Sequence, residues 1–255
     1  LNDVFNSAEV KTIGSANQLK ISTKYKVNEN SAEVDQEVQQ KLYEALVPFL
    51  PEGTSYDQFI NAENNVGKMY SGKVSPTIAD DIKKSSIWAI LGSLIVVFLY
   101  ILLRFKKWQF SLGAVAAVFH DVLIVLGIFS IAWRFLPFSM EIDQAFIAAI
   151  LTVIGYSLND TVVVFDRIRE YLNEHKSWKF EKVVNSALSS TLSRTLNTSL
   201  TTLVVLLAMF TFGADSLRGL LFALIVGVLV GTYSSLFIAT PIMHDTLKRV
   251  DEKEK

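Results

Sequence analysis

An ionisable side chain lies inside one of the most apolar stretches of this sequence. Asp160 follows Asn159 near the end of an apolar run that begins close to Ala145. On insertion scales, a carboxylate at the centre of a membrane-spanning helix costs about 2.5–3.5 kcal/mol, so it needs a partner or a water-filled cavity. Ionisable residues in such places usually mark ion or proton pathways. We therefore treat Asp160 as a candidate functional residue.

A basic side chain and several polar ones could complete this site. Arg194 begins a polar series whose later members follow it by three, four, seven and eight residues, which places them on one helix face. The series is Arg194, Asn197, Thr198, Thr201 and Thr202. The helix of Asp160 carries further polar side chains nearby, namely Tyr156, Asn159 and Thr152. Because polar faces inside lipid must turn toward other helices or water, we expect the two faces to meet, so that Asp160 and Arg194 can pair.

A pair of this kind would limit the chemistry that the site can do. Because arginine does not give up its proton, Asp160 would be the group that titrates. A helix movement that separates the two side chains would let the carboxyl take up a proton, so protonation could be coupled to conformation. Two structural interpretations stay open: an inert salt bridge, and an Arg194 that only extends to lipid phosphates.

A second carboxylate follows a histidine inside another apolar run. His120 and Asp121 point about 100° apart on a helix, so the two cannot form a shared metal site by themselves. Asp121 continues a line of small residues from Gly113 and Ala117, which indicates a close-packed helix face. A supporting role near Asp160 and a hydrogen-bonded structural role are both open, and the structural role is slightly favoured.

The composition narrows the function class. The 255 residues are 51% apolar, with a net charge of -1 and a mean hydropathy of +0.35, which indicates a membrane protein and not a nucleic-acid binder. The absence of cysteine excludes disulfides, thiolate metal sites and a cysteine nucleophile. No GxxxxGK[ST] loop is present, and we find no nucleophile–base set or metal cluster. We therefore expect neither an enzyme nor a bound cofactor, with energy supplied by an ion gradient or a partner.

The chain divides into a domain at 1–76 and a membrane bundle at 77–250, with a tail at 241–255. The first part predicts a small α+β layer, because its apolar residues alternate in one segment and recur at helical spacing in another. Its predicted elements are a strand at Leu19–Val27, a helix that Asn30 and Glu33 cap and that Pro48 and Pro51 end, a short helix near Tyr56–Ala62, and a strand near Val66–Val74.

Five apolar segments follow, each long enough to cross a hydrocarbon core of about 30 Å. They are Ser86–Leu103, Phe110–Trp133, Ala145 to about Phe165, Leu196–Phe212 and Leu217–Ala239. Lys and Arg concentrate in the loops after the first and third spans and in the tail, which predicts a cytoplasmic tail and an external N-terminal domain. Phe180–Leu192 has the pattern of an amphipathic helix at the cytoplasmic interface.

The fifth span also carries a line of small residues. They recur at every fourth position, which predicts close helix packing, and they are Ala223, Gly227, Gly231 and Ser235.

Several motifs resemble one known family. The sequence GYSLNDT at 155–161, followed by FDRIRE at 165–170, closely resembles the signature of the SecF family, which belongs to the RND superfamily. The segments LSRT at 192–195, His120-Asp121 and GTYSS at 231–235 match in order and spacing. The resemblance covers the whole membrane part and, more weakly, the domain before it. One departure is Val74-Ser75-Pro76, where the family usually has Val-Gly-Pro.

The resemblance implies a polytopic α-helical bundle with six spans and a ferredoxin-like extracytoplasmic domain after the first span. The first span would then be missing here, and we expect the chain to be a fragment that opens at Leu1. It also implies a site in which Asp160 carries a proton and Arg194 is its basic partner. Supporting polar residues would be Tyr156, Asn159, Asp121, Asn197, Thr198 and Thr201.

The resemblance further implies an auxiliary role in protein export, driven by the proton-motive force across the bacterial cytoplasmic (inner) membrane. Expected partners are a SecD half or subunit, the SecYEG channel, YajC and YidC, a translocating preprotein and membrane lipids, but no nucleic acid. Two other functions stay open: an RND transporter for lipids or small molecules, and a scaffold that stabilises the translocon without using energy. The external domain, only about eighty residues long and without internal duplication, argues against the transporter.

Overall fold

The structure is a computed structural model that describes residues 1–5, 8–12, 18–29, 31–62, 66–72, 76–138 and 140–253. The chain forms two compact units, Leu1–Lys84 and Ser85–Lys255. The helices and strands that lie within the first unit are α1 (Asn2–Phe5), β1 (Ala8–Thr12), β2 (Leu19–Thr23), α2 (Ala32–Leu46), a 3₁₀ turn (Val47–Phe49) and α3 (Tyr56–Ile60).

The small sheet of the first unit differs from the prediction. β1 pairs antiparallel with β2, and Val10 lies opposite Ile21. The predicted strand near Val66–Val74 is wrong for residues 66–72, which form no strand, while Lys73 and Val74 lie outside the described residues. The sheet of the described residues has two strands, so the ferredoxin-like architecture stays a prediction.

The start of α2 lies one residue later than the capping pattern indicated. Ser31 has an extended backbone, and its hydroxyl accepts a hydrogen bond from the Val34 amide at 3.3 Å. A serine hydroxyl at this position accepts a hydrogen bond from an amide that has no partner within the helix. Ser31 is therefore the N-cap residue of α2. Asn30, the predicted cap, lies outside the described residues.

A charged network ties the turn after β2 to α2. The Glu37 carboxylate accepts hydrogen bonds from the Lys26 ammonium at 2.6 Å and from the Tyr25 hydroxyl at 2.7 Å. Lys41, one helical turn further along α2, donates to the same tyrosine oxygen at 2.8 Å. The hydrogen bond from Lys26, and then that from Tyr25, lower the pKa of Glu37 to about 2. The carboxylate therefore holds the turn only while it is ionised.

We predict that this turn loosens in acid. A pKa lowered from 4.5 to about 2 in the folded state means that the network is complete above pH 4.5 and is lost as the pH falls toward 2. Hydrogen exchange of the Glu29 amide, which donates to the Lys26 carbonyl at 3.0 Å, measures this in the full chain after correction for intrinsic rates. Its protection should drop several-fold over that pH range.

The Glu37→Gln variant should show the low protection at every pH, because glutamine carries no charge. Glu44→Gln, also on α2 but bonded to Gln40 and not to the turn, is the matched control and should behave like the wild type. Equal pH profiles for Glu37→Gln and the wild type would contradict the prediction.

The second unit contains the predicted five spans. Its helices are α4 (Pro76–Phe105, whose first nine residues belong to the first unit), α5 (Trp108–Ala132), α6 (Gln144–Glu174), α7 (Phe180–Phe212), α8 (Arg218–Ser234), a π-helical turn (Ser235–Ala239) and α9 (Thr240–Lys253). By length and composition, five helical stretches are long and apolar enough to cross a membrane. The polytopic α-helical fold is thereby confirmed.

The helices are longer than the apolar segments predicted. α6 continues nine residues past Phe165, and the expected interfacial helix is continuous with the fourth span in α7. Hydropathy rises after Arg194, but the helix continues through this point. Residues 180–212 contain neither proline nor glycine, which would interrupt the backbone hydrogen bonds.

Two aromatic clusters lie at opposite ends of the bundle. Phe105, Phe110 and Phe165 contact one another where α4 ends, α5 begins and the apolar part of α6 finishes. Phe129 contacts Phe146 and Phe222 near the other ends of α5, α6 and α8. Asp121 on α5 and Ser157, Asp160 and Thr161 on α6, described below, lie between these two clusters along the sequence.

Helix α8 packs against α5, α6 and α7, and its small residues allow a close approach. A Cβ atom added to Gly227 would lie 2.0 Å from Cγ2 of Val153 on α6, and one added to Gly231 would lie 3.0 Å from Cβ of Ser157. At Gly113 on α5, a Cβ atom would meet the Ala239 carbonyl oxygen at 2.4 Å. The small-residue line therefore serves packing, as predicted.

We predict that Gly227→Ala destabilises the bundle, because the added methyl group has no space against Val153. Overpacking of this kind costs about 1–3 kcal/mol. Gly127→Ala on α5 is the control, since nothing lies within 4 Å of a Cβ atom there. Thermal unfolding of the purified protein in one detergent should show a lower midpoint for Gly227→Ala and an unchanged or higher one for Gly127→Ala. Equal midpoints for the two variants would contradict the close approach.

Candidate functional site

Asp160 is buried on α6 at 2% exposure, in the interior that α6 forms with α7 and α8. Its carboxyl interacts with the Ser199 hydroxyl of α7 and, through space, with the Arg194 guanidinium. The Oδ2 atom is buried and accepts no hydrogen bond from the residues that the structure describes. An incompletely satisfied carboxylate oxygen in an apolar interior is costly, and a proton on the group would remove its charge.

The predicted meeting of the α6 and α7 polar faces is present. The Tyr156 hydroxyl donates to Oγ1 of Thr202 at 3.4 Å, and the two helices pack along this contact. The direct pair of Asp160 and Arg194 is not formed: neither side chain takes part in an ion pair within 4.0 Å among the described residues, and Arg194 is exposed. Helix spacing places a residue on a face, but it does not fix where a long arginine side chain ends.

The other predicted polar residues divide into buried and exposed groups. Asp121 is buried and Tyr156 and Thr198 are partly buried, whereas Asn159, Asn197 and Thr201 are exposed on the surface of this chain. The hydroxyls of Thr198 and Thr201 donate to backbone carbonyls one turn earlier on α7. Asn159, Asn197 and Thr201, together with Arg194, thus form a polar stripe that faces away from the other helices of this chain.

Asp121 lies at the junction of three helices and is fully buried. Its Oδ2 atom accepts hydrogen bonds from Ser157 of α6 at 2.7 Å and from Ser234 of α8 at 2.8 Å. Its Oδ1 atom lies 3.2 Å from Nδ1 of His120. Asp121 is thus hydrogen-bonded on a close-packed face, and its supporting role near Asp160 stays a prediction.

Two further groups of hydroxyls cross-link the same helices. Thr161 and Ser235 exchange a hydrogen bond at 2.9 Å, and Ser235 also lies 3.2 Å from the Ser157 carbonyl, which joins α6 to the π-helical turn. Ser199 of α7 lies 2.5 Å from Oγ1 of Thr232 on α8. Asp160, Asp121 and their neighbours thus form one polar region within an otherwise apolar core.

The π-helical turn at Ser235–Ala239 was not predicted. It follows directly after Ser234, and the Thr240 hydroxyl donates to the Ser235 carbonyl, five residues earlier, at 3.1 Å. Such turns often occur at functional sites because they redirect side chains. The sequence offered only an indirect signal, a concentration of Ser and Thr near Gly231, and no periodicity that distinguishes a π turn from an α-helix.

The charged end of the GYSLNDT…FDRIRE segment connects α6 to its neighbours. Asp166 forms an ion pair with Arg104 of α4 at 2.9 Å, and Arg169 donates to the Arg104 carbonyl at 3.1 Å. Arg167 bonds Glu170 on its own helix and Ser190 of α7. These contacts are partly exposed and hold the helix ends together. Among the described residues, no three His, Asp or Glu side chains are placed to hold a metal ion.

Comparison with known proteins places this bundle in a family. The family model described as "Protein export membrane protein SecD/SecF, C-terminal" matches residues 55–249. The chain belongs to this family. The chain is also similar to a solved structure, "Crystal structure of SecDF in Super-membrane-facing form", with a TM-score of 0.65 and 29% identity over 92% of this chain and 28% of that one.

Individual relatives support the same assignment. The chain is 52% identical to "Protein translocase subunit SecF" of Rhodothermus marinus, over 71% of this chain and 59% of the relative. It is 44% identical to the protein of the same name from Cereibacter sphaeroides, over 67% of this chain and 50% of the relative. A "Protein translocase subunit SecDF" of Brucella abortus is 42% identical over 67% of this chain and 22% of the relative.

The chain thus spans between about half and three fifths of the two SecF relatives. The predicted membership of the SecF family is confirmed. The roles assigned to Asp160, Arg194 and the supporting polar residues stay predictions.

Proposed function

We propose that this chain is the SecF part of a protein-export complex, in which proton transfer at Asp160 promotes preprotein translocation on the outer side of the membrane. The relatives carry the name of protein translocase subunits, and some of them join SecD and SecF in one chain. The observation that carries the proposal is the state of Asp160: a buried carboxylate, placed within a membrane-spanning helix, with one oxygen that lacks a hydrogen bond from the described residues.

The geometry around Asp160 suits a group that changes its protonation state. A carboxylate with a full set of donors is held in its charged form, whereas Asp160 has the Ser199 hydroxyl and a distant guanidinium. Arg194 is exposed and not bound to Asp160, so a modest helix displacement would strengthen or weaken its effect. In this proposal, protonation and the approach of Arg194 alternate, and this alternation links proton flow to movement of α6 against α7.

The exposed polar stripe supports a SecD partner. Asn159 on α6, with Arg194, Asn197 and Thr201 on α7, lies at positions where a lone bundle would present polar groups to lipid. Lipid cannot satisfy such groups, so a second set of helices has to cover them. A SecD half or subunit, which the family pairs with SecF, is the occupant we propose. It would also supply the remaining groups of the proton pathway.

The wider setting follows from the same proposal. The chain would lie in the bacterial cytoplasmic (inner) membrane with its N-terminal domain outside and its C-terminus in the cytoplasm, as the Lys and Arg distribution favours. Its working partners would be the SecYEG channel and the preprotein, with YajC, YidC and membrane lipids nearby. No bound cofactor would be required, because the proton gradient supplies the energy.

We predict that Asp160→Asn abolishes the stimulation of translocation by a proton gradient. Asparagine keeps the size and hydrogen-bonding capacity of the side chain but does not titrate. The measurement is preprotein import into vesicles that contain SecYEG, SecA and the full-length SecDF complex, with and without a gradient. The gradient-dependent part should fall to the level of vesicles without SecDF, while the SecA-driven part remains.

Asp245→Asn is the matched control, because Asp245 is 70% exposed near the chain's C-terminus and should leave the stimulation intact. Survival of the stimulation in Asp160→Asn, with the complex assembled, would make Asp160 structural and favour the scaffold. Gradient-driven uptake of a labelled lipid or small apolar molecule by the complex without SecYEG would favour the transporter.

We also predict that the polar stripe contacts SecD. The chain contains no cysteine, so a single Thr201→Cys substitution places one thiol on the stripe. Paired with cysteines along the SecD spans, it should form a disulfide cross-link to SecD under mild oxidation in membranes. Leu123→Cys, on the exposed apolar side of α5, is the control and should not cross-link to the same positions. Equal cross-linking from both positions would contradict the assignment.

A further inference from the structure

The pair His120–Asp121 is a second ionisable centre that the proposed mechanism does not use. It lies at the middle of α5, where Asp121 has no exposure and His120 is 31% exposed. The two side chains contact each other through Oδ1 of Asp121 and Nδ1 of His120, at 3.2 Å. Asp121 is therefore buried, and His120 reaches the surface of the bundle.

A carboxylate buried at this position needs charge compensation. Ser157 and Ser234 each donate a hydrogen bond to Oδ2, but both are neutral. Of the elements packed against α5, α6 contributes Ser157, and α8 contributes Ser234 and the Tyr233 ring, whose centroid lies 6.3 Å from that of His120. The π-helical turn and α9 contribute Ala239 and Met243 at Gly113. Among the described residues, His120 is thus the basic group that contacts Asp121, and it carries a charge only when it is protonated.

We propose that His120 and Asp121 form a second proton-binding site of this bundle, separate from Asp160, in which one proton is shared between Nδ1 of His120 and Oδ1 of Asp121. His120 takes up a proton and donates its Nδ1–H to Oδ1 of Asp121. Transfer of that proton to Oδ1 leaves a neutral imidazole and a neutral carboxyl. The new O–H then donates back to Nδ1, and no other atom gains or loses a proton.

Protonation of Asp121 changes the hydrogen bond that connects α5 to α8. While Asp121 is ionised, its bonds from Ser157 and Ser234 are charge-assisted, and such bonds are roughly twice as strong as neutral ones. When the carboxyl becomes neutral, Ser234 loses this advantage, and it already has a second acceptor in the Gly231 carbonyl at 3.2 Å. Ser234 is the last residue before the π-helical turn, so protonation loosens α5 from α8 where the α8 backbone departs from the α-helix.

The site is distinct from the one around Asp160. Asp160 interacts with Ser199 and Arg194, whereas Asp121 bonds Ser157, Ser234 and His120. No hydrogen bond between described residues joins the two carboxyls directly. The inference extends the proposed proton-driven function, but it can be tested without relying on it.

The test follows carboxyl protonation by infrared spectroscopy of the full-length SecDF complex in lipid bilayers. An Asp160→Asn background removes the signal of the first site. In that background, a titrating C=O band of a protonated carboxyl should be present and should disappear when Asp121→Asn is added. His120→Gln should move the midpoint of that band by at least about one pH unit, because the basic group that contacts the carboxyl is lost.

His244→Gln is the matched control, since His244 also contacts the aspartate that follows it, Asp245, at 3.0 Å, but that carboxylate is 70% exposed. It should leave the titration unchanged. The proposal is overturned if the spectrum titrates identically with and without Asp121→Asn, or if His120→Gln leaves the midpoint in place. His120 is partly exposed, so His120→Gln remains informative even where Asp121→Asn unfolds the bundle. A negative result for Asp121 would not change the prediction for Asp160, because the import measurement tests the Asp160→Asn variant separately.

Discussion

The hydrogen bonds to the Asp121 carboxylate are the interaction on which this bundle depends. A carboxylate without exposure can persist in an apolar interior only if donors reach it from several sides. Ser157 and Ser234 provide them from two other helices, at 2.7 and 2.8 Å. Those distances require close backbones, which Gly227 and Gly231 allow and which a Cβ atom at either position would prevent or strain. The close packing of the helices and the hydrogen bonding of Asp121 therefore depend on each other.

The two buried carboxylates illustrate opposite solutions to the same problem. Asp121 accepts hydrogen bonds from Ser157 and Ser234 and contacts His120, whereas one oxygen of Asp160 has no donor among the described residues. The hydroxyl donors on Asp121 favour its ionised form, so in the inferred site its protonation depends on the contact with His120, whereas the incompletely bonded Asp160 changes state at lower cost. Two aspartates that look equivalent in the sequence thus differ in what they can do. Only the neighbours on other helices distinguish them.

Much of the fold and of the candidate site can be predicted from the sequence, but not all of it. The spans, the close packing of α8 and the close-packed position of Asp121 follow from composition and spacing, because lipid leaves few alternatives for polar and small residues. The pairing of Arg194 with Asp160 does not follow, since spacing fixes a helix face and not the end point of a long side chain. Local patterns also miss β1, a five-residue strand, and the π-helical turn, because both depend on partners distant in sequence.

The position of Arg194 connects the unsatisfied carboxylate to the surface of the chain. An arginine that contacted Asp160 would hold it ionised and immobile, and an arginine far away would have no effect. Arg194 instead acts on Asp160 through space from an exposed position, beside other polar residues that lipid cannot solvate. A partner that covered this stripe would therefore also control the distance between guanidinium and carboxylate. In the proposed function, this makes the SecD half part of the proton site itself, so that relative movement of the two halves and protonation of Asp160 become one event.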